Sequence, residues 1–308
     1  MNRATPDPEH GKSSGSDLIV SVVVPHYQDL ANLDICLNLL RQQTLPAEHF
    51  EIIVVDNMSP AGFASIAEIV AGRALLIENP QKGAGPTRNA GVAQARGAAL
   101  AFLDSDCRPA PHWLEYGLAA LAGAPVIGGR VDVLISDPTT MSATEAFEMV
   151  FAFNNEGYVR DKGFSVSANL FVRRDVWALV GGFRDGISED VDWCWRARDA
   201  GFPVTYAPEA RVGHPARRDW SELVRKWRRL TREGYALHRE KAGSLPSWLL
   251  RSWAVPLSAL AHLPRVMRSP KLSRPMDRMR AAGILLAIRA YRFIDAHRAP
   301  FEKPEGPA

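Results

Sequence analysis

Leu18-Ile-Val-Ser-Val-Val-Val-Pro-His26 is a nearly unbroken β-branched run that stops on a proline and a histidine. Such a run suits a strand covered on both faces, because a half-exposed strand would alternate apolar and polar residues. Leu33, Leu37 and Leu40 then recur at helical spacing. Glu51-Ile-Ile-Val-Val55, a helix near 63–70, Ala74-Leu-Leu-Ile77, a helix near 86–95 and Ala98-Ala-Leu-Ala-Phe-Leu103 follow, with a further helix over 109–122. This alternation predicts an α/β fold, a Rossmann-like, mainly parallel sheet flanked by helices and joined by right-handed crossovers. Ligands of such a sheet gather beyond the carboxyl ends of its strands.

The rhythm then changes. Strands are expected over 126–135, 167–172 and 203–206, and helices over 141–153 and 189–200. From Trp220 onward the chain reads as helical and basic. The expected organisation is a polar, disordered lead-in over 1–17, a catalytic unit over 18–215 and a basic helical extension over 216–308. The catalytic unit divides into a nucleotide-binding half, 18–125, and an acceptor half, 126–215.

Charge divides the chain unevenly. Residues 1–210 hold 16 Lys and Arg against 26 Asp and Glu, a net −10; residues 211–308 hold 21 against 8, a net +13. An acidic half binds a diphosphate only through a cation, and a basic tail suits anionic lipid or a phosphorylated acceptor. No nucleic-acid partner is expected. Cys36, Cys107 and Cys194 form no Cys-x-x-Cys pair, which disfavours a zinc site or a disulfide framework and fits a reducing cytoplasm. The polar start has no apolar signal-peptide core. The run Trp248–Leu263 is interrupted by Arg251, Pro256 and His262, and is too short to span a bilayer. Its tryptophans and cations fit either helices lying in a membrane interface or a cap on the catalytic unit. The expected location is cytoplasmic, with peripheral contact on the inner face of an anionic membrane.

The chemistry-bearing residues stand where strands stop: Pro25-His26-Tyr27, Asp56-Asn57, Asn79 to Asn89, and Asp104-Ser105-Asp106. Two carboxylates two residues apart in a tight turn can share a hard cation such as Mn2+ or Mg2+ and leave positions open for phosphate oxygens. Asp and Ser also simply favour turns. Asp56 could accept a hydrogen bond from a base N–H or only close a turn. Arg88 could meet phosphate or lie solvated on a helix. Gly83-Ala84-Gly85 has an arginine where a dinucleotide fingerprint needs its third glycine, and it follows the third strand rather than the first. Glu189-Asp190 begins a helix behind Ser188, as acidic residues at a helix start do, and either carboxylate could serve as a general base. His214, placed in a loop after the last strand, could be a third metal ligand or a packed histidine. Trp193 reads as core or as a sugar platform.

Five blocks in series, VSVVVPHYQDLANLDICLNLL (20–40), EIIVVDNMS (51–59), NPQKGAGPTRNAG (79–91), ALAFLDSDCRPAPHWLE (99–115) and GGFRDGISEDVDWCWRARDAG (181–201), resemble the family 2 glycosyltransferases. These have the GT-A fold and invert the anomeric configuration. The resemblance implies a nucleotide-sugar donor, UDP-linked by expectation, a divalent metal, and a glycan or lipid-linked acceptor in cell-surface glycan or glycolipid synthesis. It places Pro25, His26 and Tyr27 against the nucleotide, Asp56 on the base, and Lys82, Gly83 and Arg88 beside base and phosphates. Asp104 and Ser105 join the donor site, and Asp104, Asp106 and His214 the metal. It makes Asp190 the catalytic base, and puts Glu189, Gly182 and Trp193 on the acceptor side. The Gln-x-x-Arg-Trp motif of processive members is missing, and Arg225-Lys-Trp-Arg-Arg-Leu230 stands in that region, which implies single-sugar transfer. The alternatives are a sugar-phosphate nucleotidyltransferase and a non-catalytic sugar- or lipid-binding scaffold.

Overall fold

The computed structural model describes residues 18–302; the lead-in expected over 1–17 lies outside them. Eight strands form one sheet in the order β3-β2-β1-β4-β7-β6-β8-β5. β1 (Val20–His26), β2 (Phe50–Asp56), β3 (Leu75–Glu78) and β4 (Ala99–Leu103) are mutually parallel, as the first half of the sequence predicts. β7 (Asn169–Arg173) runs antiparallel to both β4 and β6 (Val126–Leu134). β6 runs parallel to β8 (Thr205–Pro215), and the two-residue β5 (Arg108–Pro109) edges β8. The sheet is therefore parallel in its nucleotide half and mixed in its second half.

The local causes are plain. In α1 (Leu30–Arg41), Leu33, Cys36, Leu37 and Leu40 are all buried on one face, and Asp29 caps the helix by accepting from the Asn32 N–H. In α3 (Ala84–Gln94) a Cβ at Gly91 would come within 2.5 Å of Val23, so glycine lets this helix press on β1. The helix begins after Gly83, whose φ of 115° is open only to glycine.

One strand was misjudged. The stretch expected as a short strand at 203–206 is an 11-residue strand that carries His214 within it. Its main partner is β6, about eighty positions earlier in the chain, and the pairing shifts register at Gly129/Arg130.

Behind residue 216 come α9 (Trp220–Glu240), α10 (Leu245–Ser252), α11 (Ala254–Met267) and α12 (Pro275–Arg298). They share a core with α5 (Ala143–Phe151): Phe147 and Val150 pack with Leu223, Val266, Leu272, Leu285 and Ile288. Burying one such side chain contributes about 1.5–3 kcal/mol, so five from the extension match a typical folding free energy of roughly 5–15 kcal/mol. The inner face of the extension is thus a cap fused to the catalytic unit.

Candidate active site

The rim formed by the ends of β1, β2 and β4 gathers most of the expected residues. Three of the five non-glycine residues with positive φ among the described residues lie at or near this rim: Gln28 and Met58, each two residues beyond β1 and β2, take 67° and 59°, and Phe153 takes 51°; Ala71 and Ala242 lie elsewhere. Non-glycine residues held in this region cost about 1–3 kcal/mol each and cluster at functional sites.

Asp104 and Asp106 follow β4 and are half-buried. His214 Nε2 lies 3.3 Å from Asp106 Oδ2, and His214 Nδ1 lies 2.8 Å from the Pro215 carbonyl oxygen. A carbonyl only accepts, so Nδ1 carries a proton and Nε2 is the ring atom turned to the Asp106 carboxylate. A proton on Nε2 or a divalent ion between the two atoms satisfies this pair. Burial, reinforced by Asp104, raises the Asp106 carboxyl above the ordinary carboxylate range, against the pull of His214 and Arg217. Cys107 completes a compact Asp106–Cys107–His214 group, but its thiol is fully buried and pushed well up by burial. For a hard cation the oxygen and imidazole ligands are the suited ones. The Phe153 ring packs against His214 at 4.4 Å between centroids, tilted by 35°, and limits its rotation.

Arg88 departs from expectation. It is buried, and its Nη2 reaches Asp104 Oδ1 at 2.6 Å while Nη1 reaches Glu189 Oε1 at 3.0 Å. Both terminal nitrogens are engaged, so Arg88 ties Asp104, behind β4, to Glu189, at the start of α8. Asp190 lies next to Glu189 at the start of α8 (Glu189–Asp199), with Oδ1 accepting the Val191 N–H. Desolvation, then the negative charge of Glu189, push its carboxyl up to about 7. A carboxylate with that pKa can take a proton near neutral pH. Ser188 occupies the cap position, but its side chain makes no capping bond.

Other expectations change. Asp56 is closed to solvent; Ser59 donates to it through both its hydroxyl and its backbone N–H, the latter at 3.0 Å. It closes the turn after β2 rather than presenting its oxygens to a base. His26 is buried, with neither ring nitrogen partnered, so of the first triplet Tyr27 is the exposed member and Pro25 is half-buried. Lys82 is exposed. The Gly83 loop is held by Asn57, whose Nδ2 donates to the Asn79 and Gln81 carbonyls and whose Oδ1 accepts the Gly83 N–H. Trp193 is wholly buried, its indole donating to the Gly181 carbonyl. It is core and cannot line an acceptor site. A Cβ at Gly182 would meet the Asn89 amide at 2.7 Å, so this glycine serves a close approach to α3. Ser105 is half-buried between the two acids.

Sequence reading missed the contribution of α9. Glu148 on α5, almost fully buried, accepts from Arg217 (2.7 Å from the backbone N–H, 3.0 Å from Nη1) and from Lys226 Nζ at 3.2 Å. Lys226 also sits 5.3 Å from the centre of the Phe153 ring that backs His214. Burial lowers Lys226 to about 8. One and two turns on, Arg229 and Glu233 act electrostatically on Asp190: the Arg229 charge lowers its pKa, and burial together with Glu189 and Asp190 raises Glu233 to about 8. The only signal available was the spacing Lys226, Arg229, Glu233 on one helix face, with an acid in a basic stretch.

Residues 21–202 match the family model described as glycosyl transferase family 2. The chain belongs to this family. Glycosyltransferase AglE of Haloferax volcanii is 37% identical over 215 residues, covering 67% of this chain and 70% of AglE. The pre-mycofactocin glycosyltransferase of Mycobacterium tuberculosis is 28% identical over 300 residues, covering 89% of this chain and 60% of that protein. Among solved structures, the mannosyltransferase PcManGT from Pyrobaculum calidifontis, in complex with GDP-Man and Mn2+, superposes with a TM-score of 0.60 at 19% identity, over 92% of this chain and 87% of that one. The fold is GT-A, and the chain is a family 2 glycosyltransferase with additional C-terminal helices.

Proposed function

We propose that this glycosyltransferase moves one sugar from a nucleoside diphosphate sugar to an acceptor hydroxyl with inversion, and that a divalent cation bound by Asp106 and His214, with Asp104 beside them, holds the donor diphosphate. The observation that carries the reading is His214 Nε2 lying 3.3 Å from Asp106 Oδ2, beside an Arg88 bridge from Asp104 to Glu189, the neighbour of Asp190 with its raised carboxyl. When bound, the cation supplies charge neutralisation for the departing diphosphate. The protein's own residues do the rest. Asp190 takes the acceptor hydroxyl proton as that oxygen bonds to the anomeric carbon. The bond from that carbon to the diphosphate oxygen breaks on the opposite face, and the nucleoside diphosphate leaves. One displacement of this kind inverts the centre. Arg88 holds Asp104 and Glu189 in fixed positions and offsets part of their combined negative charge.

The donor base has two candidates: uridine, from the family resemblance, and guanosine, from the GDP-Man bound to the mannosyltransferase of like fold. Tyr27, exposed at the end of β1, is the ring available to stack on either. The acceptor is a lipid-linked or cell-surface glycan precursor, and the enzyme works at the inner face of an anionic membrane. In support of that location, Leu250, Trp253, Leu257 and Leu260 form an exposed stripe at helical spacing along α10 and α11, with Leu257 65% and Leu260 70% exposed. Trp253 touches Phe293 of α12 at 4.7 Å between ring centres, which joins this stripe to the exposed Leu286 and Ile294. Over residues 242–300 there are ten Lys and Arg and two acids, Asp277 and Asp295, both buried. An apolar face set among cations fits an anionic lipid surface, and a second copy of this chain would bring like charges together. No helix among the described residues is long and apolar enough to cross a membrane.

The function is tested by Asp190→Asn assayed against a panel of UDP- and GDP-sugars. Donor binding is expected to persist and transfer to fall by several orders of magnitude. Near-native turnover would remove Asp190 as the base.

A further inference from the structure

The extension contains a cavity on the face of α9 away from Asp190. It has a volume of about 280 Å³ and lies between α9, α10 and α12, bounded by Trp227, Thr231, Trp248, Arg251 and Arg292, with Leu230, Val255 and Ala296 as its apolar wall. That volume falls at the lower end of the roughly 300–1,000 Å³ of ligand pockets, room for a head group and too little for a nucleotide sugar. Arg292 lies flat on the Trp227 ring, its guanidinium carbon 3.7 Å from the ring centroid. Its Nε and the Trp227 Nε1 are both sealed from water without an acceptor. Trp248 Nε1 donates to the Ala296 carbonyl at 2.8 Å, and the terminal nitrogens of Arg232 pair with Asp295 and Glu302, although Arg232 Nε, Arg289 Nε and Asp295 Oδ2 are also left without partners. No carboxylate lines the cavity, and among the described residues none pairs with Arg292. Burial, with the like charge of Arg289 beside it, lowers Arg292 to about 9. Buried donors and buried charges are normally paired.

We propose that this cavity is an anion site, separate from the donor site, that takes a phosphate group between the guanidinium groups of Arg292 and Arg251, beside the Trp227 ring. Two guanidinium forks from two elements suit a tetrahedral, multiply charged oxyanion better than a single planar carboxylate. The apolar wall fits the phosphate of an amphiphile, and free phosphate satisfies the same donors. The site stands independently of the donor reading, since it uses none of its residues; with the membrane reading it shares only the cations Arg251 and Arg292, and none of the apolar stripe.

The test uses the intact chain with EDTA present to silence the metal site. Inorganic phosphate and, separately, dihexanoyl phosphatidate below its micellar concentration are titrated by calorimetry, with acetate as control. One saturable site per chain is expected, at least tenfold weaker in Arg292→Gln and several-fold weaker in Arg251→Gln. Phosphatidate binding at least tenfold tighter than phosphate assigns the site to a lipid head group; equal affinities assign it to free phosphate. Monomeric lipid needs no bilayer, so failure of the membrane reading leaves this result untouched. Absence of saturable binding by either ligand overturns the proposal, as does Arg292→Gln binding like wild type. Should Arg292→Gln fail to fold, the exposed Arg251 carries the test, and unweakened binding in Arg251→Gln overturns it.

Discussion

At the scale of single residues, the site is governed by which charges face which. Asp190 is raised to about 7 by desolvation and then by Glu189. As the base it must be ionised, so transfer is expected to rise with pH through an apparent pKa near 7. In Glu189→Gln the neighbouring negative charge is gone and Arg88 is released toward Asp190, so the rise should move to lower pH. A pH–rate profile of this variant that coincides with wild type, or moves upward, would contradict the pairing. The sequence made the acids of this site readable because Asp104, Asp106, Glu189 and Asp190 end strands or begin a helix, where side chains reach the rim. It did not reveal that Arg88 spends both ends on acids 16 and 101 positions away, nor that Asp56 is committed to Ser59. A side chain's partners across the fold are invisible to local spacing.

At the scale of elements, α9 is where the reading fell short. The basic stretch reads as membrane-facing or as a cap, and nothing in it marked that one face of α9 carries Lys226 to a buried carboxylate and Glu233 close enough to feel Asp190. Removing one partner of a buried charge cluster costs about 3–5 kcal/mol, because the remaining charges lose their counter-ion. Glu148→Gln leaves Lys226 and Arg217 facing each other without an acid, and urea unfolding should show a loss of that order. Glu233 gives a pH-dependent counterpart. Its folded pKa of about 8 lies above the ordinary glutamate value, so the folded state keeps a proton that the unfolded chain releases above about pH 4. Stability from this group is full at low pH and lost as pH rises through about 8. Glu233→Gln should therefore gain stability relative to wild type between pH 5 and pH 9, seen as a widening difference in Tm. An unchanging difference would mean Glu233 is solvated. The strands fared better: β1, β2 and β4 were legible because burial on both faces leaves an unbroken apolar run, whereas β8 mixes exposed charges with glycine and reads as loop.

At the scale of the whole molecule, the catalytic unit and the extension are one body. Three helices beyond residue 216, α9, α11 and α12, complete the core around Phe147 and Val150, so a chain ending at residue 218 should be insoluble or unfold at much lower temperature than the full chain. The outer face of the same helices carries the membrane reading. Full-length protein is expected to sediment with vesicles containing phosphatidylglycerol and to stay free with phosphatidylcholine alone, and Leu257→Glu with Leu260→Glu should release it. Composition made this outer face legible, since cations, tryptophans and leucines announce it. The inner face was not, because its partner on α5 lies more than seventy residues away in sequence.

The account centres on a cation held between Asp106 and His214. Manganese binding followed by electron paramagnetic resonance, with and without a nucleoside diphosphate, tests this most directly. One ion per chain should bind, more tightly with the diphosphate present, and both the ion and the tightening should be lost in Asp106→Ala and in His214→Ala. Diphosphate binding of equal strength in EDTA, or manganese binding untouched by both substitutions, would contradict it.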